Sequence, residues 1–135
     1  MTYAQQTVQS YQTAQISTAD RGEVLLLVFD GALRFLTLCE QSLRDDDLAG
    51  FVEHLGRAQA IITELRRTLN YEAGGNIAVD LGRLYSFCLE HLAEANFQKN
   101  PQHVATVRNL IGTIADGFRT ILADGTPEPT AVDAA

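Results

Sequence analysis

Along most of this chain apolar residues recur every three or four positions, the spacing that lays them on one face of an α-helix. The pattern is missing from residues 1–17, MTYAQQTVQSYQTAQIS, which are uncharged and rich in Gln, Ser and Thr. That segment predicts a short, mobile N-terminal arm whose few apolar residues, Val8, Tyr11 and Ile16 among them, can rest on a surface. Charge and periodicity both begin near Asp20. A first helix is predicted from there to Arg44, with Asp20 and Glu23 spaced as a capping box. A second should run from Asp47 to Tyr71, because Asp45, Asp46 and Asp47 supply acceptors and negative charge where a helix start leaves amides unpaired. Its apolar face is Leu48, Phe51, Val52, Leu55, Ile62, Leu65 and Leu69, and Gly74-Gly75 then provides a stop.

The third helix is predicted from Asn76 to Gln98, with Ile77, Leu81, Leu84, Cys88, Leu92 and Ala95 on one side. Asn100-Pro101 reads as a cap followed by proline at the first helical position. The fourth helix then extends to Ala123 through Val104, Val107, Ile111, Ile114, Phe118 and Ile121. Each helix is about 35 Å long at 1.5 Å per residue. Links of only a few residues make consecutive helices antiparallel neighbours. The expected architecture is all-α: an antiparallel up-down four-helix bundle over residues 18–124, preceded by the arm and followed by a disordered tail over 125–135.

The first helix is unusually apolar. VLLLVF, residues 24–29, sweeps more than a full turn. It yields two stripes: Leu25, Val28, Ala32, Phe35, Cys39 and Leu43, and, about a quarter turn away, Leu26, Phe29, Leu33 and Leu36. Either bundle neighbours on both flanks, with the arm, cover everything, or the second stripe lines a groove kept for a partner. Ile61 beside Ile62 broadens the second helix's stripe in the same way, and Tyr85, Phe87 and Leu89 lie outside the third helix's main face. Spare apolar surface implies self-association or an amphipathic partner. Glycines inside the predicted helices (Gly31, Gly50, Gly56, Gly82, Gly112 and Gly117) each cost about 0.5–1 kcal/mol relative to alanine.

Composition narrows the partner. The 135 residues carry a net charge of -7 with no basic patch, which disfavours nucleic acid and anionic membrane surfaces. No apolar run approaches the roughly 18 residues of a bilayer span, and the uncharged start lacks the basic region of a secretory signal. A cytoplasmic protein is expected, with Cys39 and Cys88 as buried thiols. No cofactor or metal is called for: His54, His91 and His103 lack a Glu three residues before them, and Cys88 with His91 makes only half of a closed zinc site. There is no phosphate loop, dinucleotide fingerprint or serine elbow. EHLGRA, residues 53–58, leaves a histidine phosphotransfer domain using His54 as a minor alternative, with spacing one residue away from the usual His-x-Leu-Lys-Gly.

SYQTAQISTADRGEVLLLVFDGALRFL, AQAIITELRRTLN, EAGGNIAVDLGRLYSF and LAEAN, in that order and spacing, make the chain similar to the flagellar export chaperone family FliS, over nearly all of Tyr11 to Ile121. The resemblance implies a non-catalytic protein that binds the disordered C-terminal segment of new flagellin in the cytoplasm, prevents early polymerisation and assists delivery to the type III export gate. It implies a flagellin groove formed by Leu26, Phe29, Leu33, Ile61, Ile62, Leu65, Tyr85 and Leu89. Asp30 and Asn96 would be structural polar residues. Val8 and Tyr11 match arm positions linked in the family to the export gate and, in some members, to an anti-sigma factor. A monomer or a weak arm-swapped dimer is expected. Two departures stand out: Glu90-His91 replaces a pair of arginines common in the family, and Phe118 replaces a tryptophan. The alternative to the chaperone is a structural bundle that pairs with itself through the spare stripe.

Overall fold

The computed structural model describes residues 18–123; the arm, with Val8, Tyr11 and Ile16, and the tail lie outside the described residues. Four helices follow one another: α1 (Thr18–Arg44), α2 (Leu48–Arg67), α3 (Tyr71–Gln98) and α4 (Pro101–Ala123). They form a closed square in which α1 packs on α2 and α4, and α3 packs on the same two from the opposite corner. The up-down bundle expected from the short links is the observed fold.

Side chains set the boundaries. Asp47 caps α2, its Oδ1 accepting the Gly50 amide at 2.9 Å. The helix then ends four residues earlier than the glycines alone predict. Thr68 Oγ1 donates back to the Glu64 carbonyl at 3.0 Å, and Asn70 Oδ1 accepts the Ala73 amide at 3.0 Å. Asn70 therefore starts a new turn, and Tyr71 opens α3 rather than closing α2. Gly75, with φ 52° and ψ −126°, is a kink inside α3 instead of a link between helices. That left-handed φ is strained for any residue with a Cβ. At the other end Lys99 takes a left-handed cap (φ 55°), and its Nζ holds the Asn96 carbonyl at 2.6 Å and Asn96 Oδ1 at 3.1 Å. Asn100 Oδ1 accepts from Gln102, and Pro101 begins α4 as expected.

The core resolves the question raised by α1. Leu25, Val28, Phe29, Ala32, Phe35, Leu36 and Cys39 are all buried, so both of its stripes are largely covered by α2 and α4. Phe29 stacks on Phe118 with ring centroids 5.7 Å apart. The α1–α4 seam is pinned by Glu40, which accepts from Arg108 Nε at 2.6 Å, and by Asp30, which accepts from Arg119 Nη2 at 2.6 Å. On α3 the buried ladder is Ala78, Leu81, Tyr85, Cys88, Leu92 and Ala95. Ile77, assigned to the core by spacing, sits one position off that ladder and is exposed. Leu48 and Val52, likewise assigned to the core, flank the buried row Phe51, Leu55, Ala58 and face outward.

Burial pushes both thiols up, Cys39 and Cys88 each to about 12, with the neighbouring Glu40 charge adding to the effect at Cys39. In the unfolded chain they ionise near the ordinary 9. Above that pH the unfolded state binds fewer protons than the native one, so stability falls with rising pH. Chemical denaturation between pH 8 and 12 should show a midpoint that declines above about pH 9. A Cys39→Ala, Cys88→Ala chain should decline less. Gly56 and Gly117 have open space where a Cβ would stand. Gly56→Ala and Gly117→Ala should each raise stability by about 0.5–1 kcal/mol, read as a higher denaturation midpoint.

Candidate functional site

With α1 largely sealed, the exposed apolar surface of the described residues is concentrated elsewhere. Tyr71, Ile77, Val79, Phe87 and Phe97 are exposed on α3, against Leu48 and Val52 on α2 and Leu27 on α1. Helical spacing explains the concentration. Val79, Arg83, Phe87 and His91 recur every four residues, a row on the side of α3 away from its buried ladder. The row is stiffened by ring contacts. Phe87 lies 4.1 Å from the His91 ring, and His91 meets His103 of α4 edge-on at 5.3 Å.

Beside this row, between the last turn of α2 and α3, runs an open cleft of ≈ 380 Å³. Tyr71, Val79 and Phe87 provide its apolar walls, Gly82 and Ser86 lie along its base, and Arg66, Arg83 and Glu90 give it charge. The Gly75 kink turns the first turn of α3 so that Tyr71 reaches over Gly82. A Cβ at position 82 would stand 3.0 Å from Tyr71 Oη and 3.4 Å from Leu69 Cδ1. Glycine there is a close-approach residue that lets the phenol settle over the cleft.

The residues assigned to a groove from sequence fall into two groups. Phe29, Ile61, Ile62, Leu65 and Tyr85 are buried in the core. Leu26, Leu33 and Leu89 are half-buried and packed against it. The structure thus does not bring the eight together as one open groove; five hold the bundle closed and three lie nearer its surface. Asp30 joins α1 to α4 through Arg119, and Asn96 holds the α3 cap through Lys99. Sequence reasoning omitted Val79, Tyr71 and Leu27, and noted Phe87 without placing it in the groove. The available signal was the offset of positions 79 and 87 from the 78-81-85-88 ladder, usable only once the phase of α3 is known.

His54 is half-buried with its ring against Phe35, and its Nδ1 is sealed from solvent with no hydrogen-bond partner among the described residues. Cys88 faces the core whereas His91 turns to Phe87, and no group of three His, Cys, Asp or Glu able to hold a metal occurs among the described residues. No described helix is long and apolar enough to cross a membrane.

The family model described as Flagellar protein FliS matches residues 3–125 of the chain. The flagellar secretion chaperone FliS of Bacillus subtilis is 30% identical over 110 residues, covering 82% of this chain and 81% of the relative. That of Salmonella typhimurium is 31% identical over 120 residues, covering 88% and 86%. That of Vibrio cholerae is 30% identical over 108 residues, covering 80% and 79%.

Interior and surface aromatics should respond oppositely to charge. Phe29→Asp places a carboxylate in the sealed core and should abolish cooperative unfolding, at a cost above about 3 kcal/mol. Phe87→Asp should keep full helicity by circular dichroism and cost less than about 1 kcal/mol.

Proposed function

The chain belongs to the FliS family of flagellar proteins, and on that premise we propose that it is a non-catalytic flagellar secretion chaperone that works in the cytoplasm on flagellin. A filament protein awaiting export has amphipathic C-terminal segments whose apolar faces have no partner until the filament assembles. Left bare, such faces associate prematurely. A preformed bundle with an exposed apolar helix face offers a temporary partner, and a helix laid in a shallow groove is a common solution.

One observation carries this reading: the concentration of exposed apolar side chains on α3, beside a cleft, in a bundle whose core is already closed. The client contacts are Tyr71, Val79 and Phe87, with half-buried Leu89 at their margin. Leu26 and Leu33 would extend the path onto α1. Phe29, Ile61, Ile62, Leu65 and Tyr85 serve by keeping the platform rigid from beneath. The arm, through Val8 and Tyr11, would engage the export gate and an anti-sigma factor as secondary partners. Self-association through the same face, or an arm-swapped dimer, would compete with the client, so the working form is a monomer.

Titration of the full chain with a peptide spanning the C-terminal segment of the cognate flagellin should give a one-to-one complex by calorimetry. Val79→Asp and Phe87→Asp should each weaken it about tenfold or more, since each removes apolar burial and adds a charge. Absence of binding by the unaltered chain would overturn the proposal.

A further inference from the structure

The cleft on α3 holds charge that apolar docking leaves unused. Arg57, Arg67, Arg108 and Arg119 each pair with a carboxylate. Arg66 and Arg83 have no carboxylate partner among the described residues; Arg66 makes only a long hydrogen bond from Nη1 to Ser86 Oγ, at 3.3 Å. Both guanidiniums line the same concavity as Val79, Phe87 and Tyr71. In a chain of net charge -7, two cations against the one carboxylate of Glu90 leave this apolar-walled cleft with a local charge opposite in sign to that of the whole.

Resting on the chaperone reading above, we propose that this cleft recognises an acidic residue of the client segment, with Arg66 and Arg83 holding its carboxylate while Val79, Phe87 and Tyr71 cover the apolar residues beside it. A guanidinium suits this role because its fork of N–H donors matches the two carboxylate oxygens. Apolar walls exclude part of the water that would otherwise screen the contact. Glu90 lines the same cleft, seven residues and about 10 Å beyond Arg83 along the helix. It repels a second acid there and so gives the bound segment a direction: acidic toward the end of α2, neutral or basic toward Glu90. The feature thus selects among amphipathic segments that are equally apolar.

The test compares the full chain with its Arg66→Gln, Arg83→Gln double variant, using the flagellin C-terminal peptide and a version with every Asp and Glu changed to Asn and Gln. Glutamine keeps helix propensity, and circular dichroism checks the fold. The double variant should bind the natural peptide about tenfold more weakly, with a flatter salt dependence. The neutralised peptide should bind the unaltered chain more weakly by a similar factor, and the double variant should bind it no worse than the unaltered chain does. Arg44→Gln, at the opposite end of the bundle, should change nothing. Tight binding by the unaltered chain with no loss in the double variant, or an equal loss in Arg44→Gln, overturns the carboxylate anchor and leaves the chaperone reading standing. No binding by the unaltered chain overturns both.

Discussion

Burial of α1 between α2 and α4 is the constraint on which the rest of the molecule depends. A helix apolar over most of its circumference is stable in water only if neighbours cover it from both sides. Here they do, with Phe29 stacked on Phe118, Cys39 beneath Phe51, and the Glu40–Arg108 pair holding the α1–α4 register. Two charged residues tied across a half-buried seam fix one alignment of the helices more than they add stability. Once α1 occupies that position, α2 and α4 have their inner faces committed, and α3 closes the square from the opposite corner.

That arrangement leaves α3 different in kind from the others. It meets the core through one narrow ladder from Ala78 to Ala95, so Val79 and Phe87, one position off that ladder, stay partly exposed to solvent. The kink at Gly75 and the bare Gly82 backbone then let Tyr71 fold toward the same side and shape a cleft. The surface proposed for the client is therefore a consequence of how the core closes. Buried and exposed apolar side chains thus occupy adjacent positions of one helix.

Much of the architecture was legible beforehand. Four periodic segments with short links specify an all-α, up-down bundle, and Asp47, Asn100 and Pro101 act at the helix ends as their chemistry implies. What misled was the meaning of excess apolar character. Of the six apolar residues in a row on α1, Leu25, Val28 and Phe29 lie in the core, Val24 and Leu26 are half-buried and Leu27 is exposed, because periodicity records how much of a helix is greasy and not which neighbours surround it. The Asn70 cap, the kink at Gly75 and the phase of α3 depend on competition between local hydrogen bonds and tertiary packing, which spacing alone does not rank. The unneutralised state of Arg66 and Arg83 was out of reach for the same reason: ion pairing is a property of the assembled helices.

Hydroxyl-radical footprinting of the full chain, alone and saturated with the flagellin C-terminal segment, reads the central claim side chain by side chain, because aromatic rings oxidise in proportion to their exposure. In the free chain Tyr71 and Phe87 should react readily, whereas Phe29 and Phe51 should not. On binding, Tyr71 and Phe87 should become protected while Phe29 and Phe51 stay silent. Undiminished oxidation of Tyr71 and Phe87 in the complex, or new reactivity at Phe29, would contradict the account and place the client within an opened core instead.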